Sequence, residues 1–176
     1  MYDKPILLIG DSITEGFDVG KLLQEFQVLN AGVSGDSTVE TLVRINNELF
    51  EVGPEIAFLC IGTNDFARNR TDEYILKNIS KIIEKIISYS PLIKVIPVSI
   101  FPTRNNLPRP NERINMFNDS LEALSIEKGL KYFNINRYFK DEKGQLRYEY
   151  TEDGLHLTIK AYELWAKLIK EFVLAS

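Results

Sequence analysis

Four short stretches of the chain carry the residue types that acyl transfer needs. Ser12 lies in GDSITEG (10–16), Gly35 in NAGVSGDST (30–38), Asn64 in GTND (62–65), and Asp153 with His156 in EDGLH (152–156). A serine hydroxyl is a poor nucleophile until a base takes its proton. Imidazole suits that task near neutral pH, and His156 is the sole histidine of the chain. Asp153 precedes it by three residues, a spacing that puts both side chains on one side of a tight turn or a first helical turn. The carboxylate can then hold the imidazole in the tautomer that accepts the serine proton. Donors for a developing oxyanion are also present: the Ser12 N–H, the Gly35 N–H and the Asn64 amide.

These residues need a scaffold, and the hydrophobic pattern supplies one. Short apolar runs occur at PILLIG (5–10), FQVLNAG (26–32), EIAFLCIG (55–62), IKVIPVSI (93–100) and LKYFNI (130–135). Several are continuously apolar, as strands covered on both faces are. Between them lie amphipathic stretches. Ile75, Ile79, Ile82, Ile83, Ile86 and Ile87 share one helical face behind a Thr71 N-cap. Leu164, Trp165, Leu168, Ile169 and Phe172 repeat the pattern near the end of the chain, and helices are also expected near 18–25, 38–51 and 110–128. This alternation predicts one α/β domain over residues 1–176, a three-layer α/β/α arrangement around a flavodoxin-like parallel five-stranded sheet of order 2-1-3-4-5.

In an open parallel sheet, ligands bind outside the carboxyl ends of the strands, near the switch in strand order. All four stretches follow predicted strands, the last after a long irregular connection. The expected order makes the first and third strands neighbours, which brings Ser12 near Asn64. Taken singly, each feature has a plainer reading. GDS and Asp153-Gly154 are ordinary turn formers, Gly35 is a turn glycine, and Asn64 follows a strand. It is their joint placement at one sheet edge that points to chemistry.

The chain offers two rival chemistries. Cys60 lies inside an apolar strand and is expected to be buried and inert. Asp11, Asp36, Asp65 and Asp153 could in principle gather a divalent cation for a metal-dependent phosphoesterase. One histidine is too few for the histidine-rich binuclear sites of that class, and the aspartates read better as loop-bracing acceptors. No phosphate-binding loop or dinucleotide fingerprint is present.

The four stretches, in this order, resemble the sequence blocks of the SGNH-hydrolase superfamily, the GDSL-type esterases, lipases and acylhydrolases. The resemblance implies a serine acyl-ester hydrolase with Ser12 as nucleophile, Asp153 and His156 completing the triad, and Ser12, Gly35 and Asn64 forming the oxyanion hole. It implies no cofactor and no metal. Ile13 stands where the name-giving pattern has Leu, an apolar exchange that leaves the chemistry intact. Gly35 rather than Gly32 is assigned by the family match, since composition does not separate the two. Substrates of the family range over acyl esters, thioesters, lysophospholipids and acetylated sugars. The short loops favour a small acyl group such as acetyl, with lysophospholipase or thioesterase activity as alternatives. Phe17, Phe66 and Phe101 are candidates to line an acyl pocket, with core packing as the competing reading. Arg104 and Arg109 are candidates to meet an anionic or sugar leaving group.

Composition bounds the partners. Net charge is −4, from 21 basic and 25 acidic residues without a basic block, which argues against nucleic acid. The apolar run Ile6–Ile9 is too short for a signal-peptide core, and no stretch approaches a membrane span. Cys60 is the lone cysteine, in keeping with a reducing compartment. A cytoplasmic enzyme acting on a small-molecule ester is the expectation.

Overall fold

The computed structural model describes residues 2–175, and their side chains from Pro5 onward. Four parallel strands form one sheet in the order β2-β1-β3-β4: β1 (Tyr2–Gly10), β2 (Phe26–Gly32), β3 (Ile56–Cys60) and β4 (Lys94–Pro97). Alternation along the strands divides the interior. Ile6, Leu8, Ile56 and Phe58 face one apolar cluster with Trp165, Ile169 and Val173. Leu7, Ile9, Ala57 and Leu59 face another with Ile75, Ile79, Ile82, Ile83, Ile114, Phe117 and Leu121. Both faces are therefore covered, which is why these strands read as continuous apolar runs.

The first face is covered by α7 (Ile159–Leu174), with the short helices α1 (Ser12–Glu15) and α2 (Val19–Leu22) at its edge. α5 (Asp72–Tyr89) and α6 (Asn111–Glu127) cover the second. Two shorter helices, α3 (Thr38–Arg44) and α4 (Thr63–Ala67), follow β2 and β3. Thr71 caps α5, its side chain accepting from the Tyr74 N–H. Ile87 leaves the buried stripe and is 37% exposed. The helix expected over 38–51 stops at Arg44 and restarts as a 3₁₀ turn at Asn47–Phe50, because the Asn46 side chain caps the Glu48 N–H.

The predicted fifth strand is a correction. LKYFNI contributes a single parallel bridge, Val98 to Phe133, beyond β4. The Ser99 side-chain oxygen accepts from the N–H groups of both Ile135 and Asn136, each at 2.9 Å. Those amides are diverted from a ladder, and the chain turns into a 3₁₀ turn at Asn136–Tyr138. The order 2-1-3-4 holds, and the fifth position is marked only by that bridge.

Candidate active site

β1 ends at Gly10, and Asp11 caps α1 by accepting the Ile13 N–H at 2.9 Å. Ser12 is the first residue of that helix. Among the described residues its backbone N–H has no hydrogen-bond partner, as expected at a helix N-terminus. Two distant side chains hold α1 in place. Asn30 of β2 donates to the carbonyls of Thr14 (2.8 Å) and Phe17 (3.0 Å) while accepting from Gly32 N–H (2.9 Å). Tyr162 of α7 donates to the Ile13 carbonyl at 2.8 Å.

The loop carrying Asp153 and His156 is shaped by its own side chains. Asp153 Oδ1 accepts from the N–H groups of Leu155 (2.9 Å) and His156 (2.8 Å), which leaves Oδ2 to face the imidazole Nδ1 at 2.6 Å. Burial pushes the Asp153 carboxyl up. The hydrogen bonds from the His156 ring and the two amides outweigh it and hold the group at about 2. The carboxylate is thus ionised and fixes the ring proton on Nδ1. Nε2 is left facing Ser12 Oγ at 3.1 Å. The side chains of His156 and Asp153 are 52% and 55% exposed, so the site is open to solvent.

This loop is pinned by the segment that follows β4. Gly154 has φ +84° and lies so close to Arg104 that a β-carbon there would overlap the Arg104 carbonyl. The Arg104 N–H donates to the Gly154 carbonyl at 2.8 Å. The Arg104 side chain donates to the Leu146 carbonyl at 2.6 Å and pairs with Asp141.

The third group lies between β2 and α3 and at the start of α4. Gly35 has φ +81°, and its N–H has no partner among the described residues. The Asn64 Nδ2 donates to the Asp36 carbonyl at 2.8 Å, tying the Asn64 amide to the Gly35 turn. Arg68 donates to the Gly35 carbonyl at 2.9 Å and also reaches Ser37 and Glu40. Arg109 donates from Nη2 to Asn64 Oδ1 at 3.1 Å and from Nε to the Thr63 carbonyl at 3.0 Å. Asp65, fully buried, accepts from the Thr38 N–H (2.9 Å) and hydroxyl (2.8 Å) and pairs with Arg70, locking α4 to α3.

The structure therefore brings Ser12, His156 and Asp153 into one hydrogen-bonded chain and ties Asn64 to the Gly35 turn. It does not bring the expected pocket residues to the site. Phe17, Phe66 and Phe101 are 2%, 1% and 2% exposed. Phe17 and Phe101 pack edge-on against Trp165, and Phe66 packs edge-on against Phe117. Their apolar area is better satisfied in the two cores than at an open cleft. Arg104 is engaged by Asp141 and Leu146, and Arg109 by Thr63 and Asn64, rather than left free for a leaving group. Cys60 is buried, and burial followed by the nearby Asp11 charge pushes its thiol well up, which suppresses the thiolate.

Asp11, Asp36, Asp65 and Asp153 are engaged separately, with the Ile13 N–H, Arg44, Arg70 and His156 respectively. Among the described residues no three of His, Cys, Asp or Glu stand together as a metal-holding group. Asp11 is itself unusual. Burial raises its carboxyl to about 6, against the opposing pull of the Ile13 N–H, Arg109 and His156. No helix among the described residues is long and apolar enough to cross a membrane.

Asn30, Tyr162, Arg68 and the Asn64-directed role of Arg109 were not anticipated from sequence. Each acts over 13 or more residues of chain, and no local spacing marks them.

Residues 8–164 match the profile of the GDSL-like lipase/acylhydrolase family. The chain belongs to that family. Its members are SGNH hydrolases acting on esters, and a serine triad of the kind assembled here is typical of them. Rat platelet-activating factor acetylhydrolase IB subunit alpha2 is 26% identical over 182 aligned residues, covering 96% of this chain and 76% of that protein. N-acylneuraminate cytidylyltransferase of Escherichia coli is 29% identical over 170 residues, which take up 96% of this chain and 40% of the bacterial protein. Among solved structures, the lipase/acylhydrolase from Enterococcus faecalis is 26% identical and superposes with a TM-score of 0.83, covering 97% of this chain and 95% of that one.

Proposed function

We propose that this GDSL-family member is a serine carboxylic-ester hydrolase that works through an acyl-enzyme on Ser12, with acetyl or other short acyl esters as substrates. The observation that carries the reading is the continuous relay from Ser12 Oγ to His156 Nε2 (3.1 Å) and from His156 Nδ1 to Asp153 (2.6 Å). His156 Nε2 takes the proton of Ser12 as Oγ attacks the ester carbonyl, and Asp153 supports the imidazolium that forms. The tetrahedral oxyanion is received by the N–H groups of Ser12 and Gly35 and by the second Asn64 Nδ2 hydrogen. The imidazolium then protonates the leaving alcohol as the C–O bond breaks. Water attacks the acyl-enzyme with the same base, releasing the acid and restoring Ser12.

Two considerations favour a short acyl group. The three candidate phenylalanines are consumed by the cores and leave no aromatic wall at the open site for an alkyl chain. Relatives named acetylhydrolases point the same way. The test is turnover of p-nitrophenyl esters of increasing chain length by the intact chain and by Ser12→Ala. Activity concentrated on the shortest acyl groups, unchanged by EDTA, lost in Ser12→Ala and blocked by a fluorophosphonate is the expected pattern. Turnover surviving in Ser12→Ala, or abolished by EDTA, overturns the serine mechanism; a preference for long chains overturns the short-acyl assignment.

A further inference from the structure

We infer that Arg109 is a positioning residue that locks and polarises the Asn64 amide as an oxyanion donor, an inference that rests on the serine reading above. A carboxamide can present either its nitrogen or its oxygen to a neighbour. Presenting oxygen would set a negative dipole against the developing oxyanion. Two bonds decide between these orientations. Arg109 Nη2 donates to Oδ1 at 3.1 Å, and Nδ2 donates to the Asp36 carbonyl at 2.8 Å. A flip would oppose the amide hydrogens to the guanidinium and set Oδ1 against the Asp36 carbonyl oxygen. Each half of the flip is repulsive, so the amide is held with its second N–H available.

The guanidinium is itself well fixed. Its Nε donates to the Thr63 carbonyl at 3.0 Å, one residue before Asn64. Its backbone carbonyl accepts from the Thr103 hydroxyl at 2.7 Å, and its N–H donates to the Asn106 carbonyl at 3.0 Å. The 101–110 segment, left without a role by the sequence, thus ends in an arm that reaches back to the oxyanion residue.

The charge of Arg109 is distributed unlike that of its neighbours. Arg44, Arg68, Arg70, Arg104 and Arg113 each pair with a carboxylate. Among the described residues Arg109 has no carboxylate within salt-bridge distance, and its side-chain partners, Thr63, Asn64 and Asn106, are neutral. It is also partly buried, where its field is screened less than at the open surface. A cation bonded to Oδ1 draws electron density from the amide and strengthens its N–H as a donor.

The test is a double-mutant cycle in the full chain, with turnover expressed per site titrated by fluorophosphonate, so that loss of folded protein is not counted as loss of rate. Arg109→Met is expected to lower kcat by about ten- to a hundredfold, the span of a hydrogen bond to a charged group, with KM little changed. Asn64→Ala is expected to lose about 10²–10³-fold. Adding Arg109→Met to Asn64→Ala is expected to cost no more than about threefold further, because its target is gone. Arg109→Gln, which keeps a donor and loses the charge, should fall between wild type and Arg109→Met, and gives the cycle a second variant if methionine disturbs the loop. Losses that multiply in the two backgrounds, or a defect confined to KM as for a leaving-group contact, would overturn the assignment. Ser12→Ala is measured alongside. If it retains turnover, the serine reading fails; if it is inactive while the Arg109 and Asn64 losses multiply, only the Arg109 inference fails.

Discussion

Gly154 offers a quantitative test of how the loop bearing Asp153 and His156 is held, because Gly35 serves as its internal control. Both glycines sit in the left-handed region, at φ +84° and +81°. A substituted alanine pays a similar backbone strain at each, about 1–2 kcal/mol. The surroundings differ. At Gly35 a β-carbon meets no atom within 4 Å, whereas at Gly154 it overlaps the Arg104 carbonyl oxygen and lies 3.2 Å from the carbonyl carbon. Backbone cannot swing away as a flexible side chain can, so the loop or the 101–110 segment must move. An overlap of this kind adds about 1–3 kcal/mol. Gly154→Ala should therefore melt lower than Gly35→Ala by roughly 2–12 °C, taking 2–4 °C per kcal/mol for a chain of this size. The displacement also reaches the chemistry, since Gly154 lies between Asp153 and His156. A shift of about 1 Å in such a pair can cost about a hundredfold in rate. Calorimetry and ester turnover measure the two effects. If Gly154→Ala melts with Gly35→Ala and turns over like wild type, the contact with Arg104 does not hold the loop, and the account of its geometry is wrong.

Two further substitutions test the ground beneath Ser12. The Asp11 carboxyl is raised from 3.8 to about 6, so the folded state holds its proton more tightly than the unfolded chain. Its contribution to stability is complete below pH 3.8 and is lost as pH rises through about 6, a difference of about 3 kcal/mol. Asp11→Asn keeps an oxygen for the Ile13 N–H and removes the buried charge, so denaturant unfolding should show it more stable than wild type at pH 8, by up to about 3 kcal/mol, and equal near pH 4; a variant less stable at pH 8 contradicts the assignment. Among the described residues Thr14 Oγ1 is buried without a hydrogen-bond partner; Thr14→Val, of the same shape, should be neutral or stabilising by about 1 kcal/mol, and a marked loss of stability would reveal a partner for that hydroxyl.

What the sequence made legible and what it did not divide along a physical line. Asp153 and His156 were legible because their geometry is local. Asp153 Oδ1 caps the amides two and three residues ahead, and the same turn aims Oδ2 at the ring. β1 and β3 were legible as strands because segments covered on both faces are apolar throughout. LKYFNI has the same apolar character, yet it forms one bridge, because the Ser99 side chain captures two of the amides a ladder would need. Nothing in the segment itself announces a serine more than thirty residues earlier. Asn30, Arg68 and Arg109 are illegible for the same reason. They are common polar residues whose partners at the site lie 13 to 46 positions away.

The misplaced phenylalanines show how the open site and the tight scaffold depend on each other. Phe17, Phe66 and Phe101 follow motifs that end strands or begin helices, so adjacency in sequence suggested adjacency in the cleft. At a strand end, however, the chain is only a residue or two from the sheet interior. A large apolar side chain there gains roughly 1.5–3 kcal/mol by turning inward. Phe17 and Phe101 both do so against Trp165, at ring distances of 5.0 Å each. α7 is thereby joined both to the end of α1 and to the segment that pins Gly154. The helix that carries Trp165 also carries Tyr162, whose hydroxyl holds the Ile13 carbonyl. The aromatic residues near the motifs thus act on Ser12 and His156 through the frame that fixes their separation. An alkyl-binding wall built from the same rings would require taking that frame apart, and this is the scaffold's support for the short acyl group proposed above.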